Sequence, residues 1–232
     1  INFNIYYYLA IKRFNDLKVN EEWKVFLAIV GLSVLIIALN LLPSGKSIEW
    51  SFRAALFQVA SIISTSGFSS TNFDLWPQLS KTILIILMVV GACAGSTGGG
   101  IKVSRLIIMY QSICKELKRI AHPHSVSRIK MNGKAVEDGV VSGITIYLAM
   151  YVFIFGVSIL IVSLDNFDFE TTFTAVLTCF NNVGPGFGEV GPAGNFHALS
   201  NLSKIVLSID MLLGRLELLP ILLLATPSFW KK

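Results

Sequence analysis

Charge is scarce in this sequence. Asp, Glu, Lys and Arg make up 14% of its 232 residues and apolar residues 53%. A soluble domain carries about 25% charged residues, so the deficit excludes an ordinary soluble domain and indicates a membrane protein. Paired cysteines are missing as well. Cys93, Cys114 and Cys179 lie at no spacing that suits a zinc site, a redox pair or a disulfide framework, and they read as small buried residues. His122-Pro-His124 has no further ligands beside it and reads as loop. The chain begins at Ile1 with no initiating Met and no cleavable signal, so an N-terminal part is expected to precede it. Acid is nearly absent from Lys102 to Lys134. There Lys102, Arg105, Lys115, Lys118, Arg119, Arg128, Lys130 and Lys134 are set against Glu116 alone. Such an excess marks the cytoplasmic side of a membrane and suits contact with anionic lipid. Nucleic acid is not the expected partner, because orientation in the membrane already accounts for the charge.

Long apolar runs are what the sequence has instead. Val25 to Leu42 is 18 residues without a charge and Val141 to Leu164 is 24, each enough to span a bilayer. Phe52 to Ile63 and Phe169 to Phe180 are apolar for only 12 residues each. That is too short to cross and right for half-membrane helices that enter and turn back. They run into Ser64-Thr-Ser-Gly-Phe-Ser-Ser70 and Asn181-Asn-Val-Gly-Pro-Gly-Phe-Gly188. Leu79 to Tyr110 and Leu202 to Thr226 read as returning spans. Residues 1–24, the basic segment and Lys231-Lys232 then fall on one side. The chain divides into a linker (1–24), a span–half-span–span unit (25–114), a basic cytoplasmic loop (115–140) and a second such unit (141–232). A slide of 117 positions puts Phe52 on Phe169, Val59 on Val176 and Gly67 on Gly184; a slide of 123 puts Leu79-Ser-Lys81 on Leu202-Ser-Lys204, Met88 on Met211 and Gly91 on Gly214. An internal repeat of this kind makes each unit one wall of a symmetric object.

Gly91-Ala-Cys-Ala-Gly-Ser-Thr-Gly-Gly-Gly100 interrupts the span of the first unit. An unbroken helix from Leu79 to Tyr110 would be about 48 Å long, against roughly 30 Å of hydrocarbon. Gly91, Gly95, Gly98, Gly99 and Gly100 each disfavour helix by about 1 kcal/mol relative to Ala. Irregular backbone at membrane depth is tolerated only inside protein or beside water, so the stretch reads as a loop facing an aqueous cavity. A helix-packing face built on Gly91 and Gly95 is the plainer alternative. A phosphate loop does not fit, because Ile101 separates Gly100 from Lys102.

The half-helices carry the chemistry. Both run inward, so their partially negative C-termini point at the membrane centre and favour a cation there. The extended backbone that follows can offer carbonyl oxygens in place of an ion's water. Asp210, Arg215 and Glu217 sit in the last span, where charge is costly and faces a cavity or a partner. Arg215 aligns with Ala92, at the depth of the glycine loop. It reads as a fixed cation on the path, as the partner of Asp210 or Glu217 in a buried ion pair, or as both. A secondary transporter with broken helices and a membrane assembly subunit without a pore are the competing readings.

Ser64-Thr-Ser-Gly-Phe68, Gly95-Ser-Thr-Gly-Gly-Gly-Ile-Lys102, Glu116-Leu-Lys-Arg-Ile-Ala-His-Pro123, Asn181-Asn-Val-Gly-Pro185 and Gly214-Arg-Leu-Glu217 together resemble the TrkH-type potassium uptake proteins of the Trk/Ktr/HKT superfamily. The likeness covers nearly the whole chain and matches the second half of such proteins. It implies an all-α membrane protein of tandem, potassium-channel-like span–pore-loop–span repeats, with the second span of the first repeat broken by the glycine loop. It implies a non-enzymatic function, potassium uptake, with potassium as the ion and no organic cofactor. It makes Thr65, Ser66, Gly67 and Phe68 one strand of the selectivity filter and Asn182, Val183, Gly184 and Pro185 another, with potassium held at Thr65, Ser66, Asn182 and Val183. Phe68 and Pro185 stand where potassium channels have Tyr, so the filter is looser. The resemblance further implies a gate made of Gly91, Gly95, Gly98, Gly99, Gly100 and Arg215, placement in a bacterial inner membrane, a homodimer, and a cytoplasmic TrkA-like nucleotide-binding ring as partner.

Overall fold

The computed structural model describes residues 2–12, 20–122, 128–216 and 220. Glu217, His124, Thr226, Lys231 and Lys232 lie outside them. The described part is helical. Its helices are α1 (Phe3–Ala10), α2 (Glu21–Leu41), α3 (Ile48–Ile63), α4 (Gln78–Val89), α5 (Val103–Ala121), α6 (Asp138–Val162), α7 (Phe169–Phe180) and α8 (Asn201–Leu216). A two-stranded hairpin of β1 (Lys130–Met131) and β2 (Lys134–Ala135) lies between α5 and α6.

Local signals set the helix ends. Asn20 caps α2 by accepting from the Glu22 and Trp23 amides, and Glu21 and Glu22 follow in the first turn, where negative charge suits the helix dipole. Pro43 and the left-handed Gly45 (φ 74°) close the turn beyond it. Ser47 caps α3 through the Trp50 amide, and Asp168 caps α7 through the Thr171 amide. α2 and the helical stretch Asp138–Asp165 are long and apolar enough to cross a membrane. α7 has the expected 12 residues. α3 differs: it has 16, because the Ser47 cap adds a turn before Phe52, yet at about 24 Å it still falls short of a bilayer core. α5 also runs on to Ala121, so the first residues of the segment read as basic loop are helix. Asn132 and Gly133, both at positive φ (53° and 76°), make the tight turn of the hairpin that follows.

The elements pack in two groups. α2, α3 and α4 contact one another, as do α6, α7 and α8, and the groups meet where α4 touches α7 and α5 touches α6. The first core is built on Ile37, Ala55, Val59, Ile62, Leu84 and Met88, and the second on Val162, Ala175, Val176 and Leu207. Phe73 and Phe187, edge to face at 5.1 Å, join the two groups at one end. Lys81 joins them there too, bridging Asp74 at 3.2 Å and Glu170 at 3.0 Å.

Candidate ion pathway

α3 and α7 end in the same way. The Ser66 amide donates to the Ser61 carbonyl and the Thr65 amide to the Ile62 carbonyl; 117 positions on, the Val183 amide donates to Thr178 and the Asn182 amide to Cys179. This pair of bonds is the Schellman arrangement, and its C′ residue must be left-handed. Thr65 and Asn182 occupy that position, each with φ 54°. Two residues later Gly67 (φ 73°) and Gly184 (φ 115°) turn the chain again. A Cβ on Gly67 would lie 2.4 Å from the Val183 carbonyl oxygen, so the two exits touch through backbone at a spot where only glycine fits. Thr65, Ser66, Asn182, Val183 and Gly184 line one cavity of about 420 Å³. Gly67, Phe68 and Pro185 do not line it, and Phe68 is 72% exposed. Two helix C-termini converge here, which places partial negative charge at the cavity.

The glycine loop closes over the same helix ends. Its own ends are pinned together by the Gly91 amide to the Ile101 carbonyl (2.9 Å) and the Ile101 amide to the Val89 carbonyl (3.1 Å). The Gly99 amide donates to the Thr65 hydroxyl at 3.2 Å. A Cβ on Gly99 would lie 2.2 Å from the Asn181 carbonyl oxygen, and one on Gly98 3.4 Å from the Thr65 hydroxyl. The loop is therefore seated on both helix ends at once, with no room for a side chain at Gly99. Gly95 and Gly100 supply left-handed turns (φ 72° and 73°). Lys102 reaches back to the Gly98 carbonyl.

Arg215 donates to the Thr97 carbonyl, and a second cavity of about 300 Å³ is lined by Gly95 to Gly100, Lys102, Arg105 and Arg215. The ion pair of Arg215 with Asp210 is not formed. Asp210 faces the other way along α8, 1% exposed, and accepts from the Ser158 hydroxyl at 2.8 Å. The two residues are five apart on a helix, which turns 3.6 residues per revolution, so their side chains diverge. Gly214 lets α8 come close to α7: a Cβ there would lie 1.8 Å from the Phe180 carbonyl oxygen, and the Asn182 side chain donates to the Met211 carbonyl at 3.1 Å.

A family model described as TrkH, a cation transport protein, matches residues 29–232. The chain belongs to the TrkH family. It is 39% identical over 214 residues to the Trk system potassium uptake protein TrkH of Vibrio parahaemolyticus, covering 91% of this chain and 44% of that protein. It is 34% identical over 215 residues to the protein of the same name from Escherichia coli, covering 92% of this chain and 44% of the relative. The crystal structure of the potassium transporter TrkH from Vibrio parahaemolyticus superposes with a TM-score of 0.83 at 39% identity, over 91% of this chain and 45% of that one. The chain thus spans less than half the length of the relatives it matches.

The membrane fold of the TrkH family brings in residues that sequence reasoning passed over. Tyr151 on α6 donates to the Asn181 side chain at 3.0 Å, and that side chain donates in turn to the Leu177 carbonyl, fixing the end of α7 from behind. Glu22, 3% exposed, reaches from α2 to the glycine loop. Neither had a signal beyond its residue type. A Tyr in an apolar helix reads as core, and a Glu in a first turn reads as a partner of the helix dipole.

Proposed function

We propose that the chain forms two of the walls of a cation pathway for potassium uptake across a bacterial plasma membrane, one wall from residues 25–114 and one from 141–232. In this reading Thr65 to Phe68 and Asn182 to Pro185 are filter strands, and potassium exchanges its water for their oxygens. Gly91 to Gly100 is the gate beneath them, with Arg215 as a fixed positive charge beside it. The observation that carries the reading is the glycine loop seated on the C-termini of both α3 and α7, the two places where backbone exits left-handed toward one cavity. The relatives' names, Trk system potassium uptake proteins, supply the ion. The "Trk system" of those names also motivates a partner: a cytoplasmic nucleotide-binding ring acting on a dimer of the complete transporter.

The gate is tested by flux. Shortening Gly98-Gly-Gly100 unseats the loop, and Arg215→Ala removes a cation that repels passing cations in proportion to 1/εr. Both variants of the complete transporter in liposomes are expected to pass rubidium several-fold faster than the parent and to depend less on the cytoplasmic partner. If both conduct no faster than the parent, while folded and reconstituted equally, the loop is a packing break and not a gate.

A further inference from the structure

α5 starts without a cap of its own. Lys102 stands at its N-cap position and its side chain makes no capping hydrogen bond, and the first turn of α5 holds no acid. Four amide groups at a helix start need acceptors, and a carboxylate is the best complement to the positive end. That carboxylate comes from α2. One oxygen of Glu22 accepts from the Ser104 amide of α5 at 3.1 Å and from the Ala94 amide of the glycine loop at 2.6 Å. Hydrogen bonds to a charged acceptor are roughly twice as strong as neutral ones. Glu22 therefore ties the middle of the loop to the helix that follows it.

The anchor of this tie is itself held. Asn20 caps α2 from within. The Asn132 side chain, at the turn of the hairpin, accepts from the Glu21 amide at 2.9 Å. The hairpin is fixed in turn by the Lys130 amide to the Gln111 side chain of α5 (3.1 Å) and by Ile129 packed against Ile108 and Ile144. A continuous set of bonds thus runs from the hairpin, through the first turn of α2 and the Glu22 carboxylate, to Ala94.

We infer that Glu22 is the latch of the glycine loop, a positioning residue that holds it closed, and that the Asn132 hairpin braces this latch from the basic segment. This rests on the reading of the loop as a gate. Two measurements on the complete transporter in liposomes separate the two ideas: hydrogen exchange of the peptide covering 91–104, and rubidium flux without the cytoplasmic partner. In Glu22→Ala the peptide is expected to exchange about ten-fold faster, equal to about 1.4 kcal/mol, and flux to rise several-fold. The peptide covering α7 should stay as in the parent. Glu22→Gln keeps an acceptor oxygen but loses the charge, so its exchange should fall between the parent and Glu22→Ala. Asn132→Ala should move both readouts in the same direction by less, and it carries the test if Glu22→Ala does not fold. Unchanged exchange at 91–104 in a folded Glu22→Ala or Asn132→Ala protein overturns the latch. Faster exchange with unchanged flux in a conducting protein leaves the latch standing and removes the gate.

Discussion

Glycine does two different jobs at the residue scale, and the surroundings of each Cβ position separate them. Gly214 lies against the Phe180 carbonyl oxygen, with 1.8 Å to a built Cβ, whereas Gly156 in α6 has nothing within 4 Å. Gly214→Ala forces backbone apart, and overpacking of this kind costs about 1–3 kcal/mol. Gly156→Ala meets no neighbour and relieves the entropy penalty of a mid-helix glycine, about 0.5–1 kcal/mol. Thermal unfolding in detergent should therefore place Gly214→Ala below the parent and Gly156→Ala at or above it; the reverse order would refute the packing described for α7 and α8. The glycines at 91, 95 and 98–100 were legible in the sequence, because so many in a short stretch cannot continue a helix. Glu22 was not. Its tie to Ala94 and Ser104 spans 72 and 82 positions, and no local pattern encodes such a distance.

The elements were legible where composition changes abruptly. The two apolar spans, the half-length helix after Asp168 and the break after Val89 follow from hydropathy and glycine content. The start of α3 was read four residues late, because Ser47 acts as its cap and the mixed residues Ile48-Glu-Trp-Ser51 follow it into the helix. The helical continuation to Ala121 was also missed, since charge there obscured a good helix-forming sequence. The cap of α7 supplies a pH test. Hydrogen bonds from Thr171, side chain first and backbone amide also, hold the Asp168 carboxyl below its ordinary value. A depressed pKa means that the stabilisation is present above the ordinary aspartate range and is lost as pH falls through the folded value, below about 4. Asp168→Ala should lose about 1 kcal/mol of stability at pH 7, and the gap to the parent should close in acid. A gap that does not narrow at all as pH falls below the ordinary aspartate range would contradict the charged cap.

At the scale of the whole molecule, matched residues at slides of 117 and 123 could be read from the sequence, but the contacts between the two groups could not. Lys81 and Lys204 occupy matched positions and do different work. Lys81 bridges Asp74 and Glu170 from the two groups, while Lys204 donates to the His197 carbonyl within its own. The match of Thr65 with Asn182 in backbone angle, despite different side chains, is likewise a property of folded helix ends. It is the reason the central claim can be tested at the glycine two residues beyond each. Gly67→Ser places a Cβ 2.4 Å from the Val183 oxygen at φ 73°, and Gly184→Ser strains a backbone at φ 115°. The decisive measurement is rubidium uptake against sodium uptake by these two variants of the complete transporter, reconstituted in equal amounts. The account predicts that each loses rubidium uptake or loses its preference for rubidium, while remaining folded in the membrane. Uptake and preference equal to the parent in both variants would contradict the assignment of these two segments as filter strands.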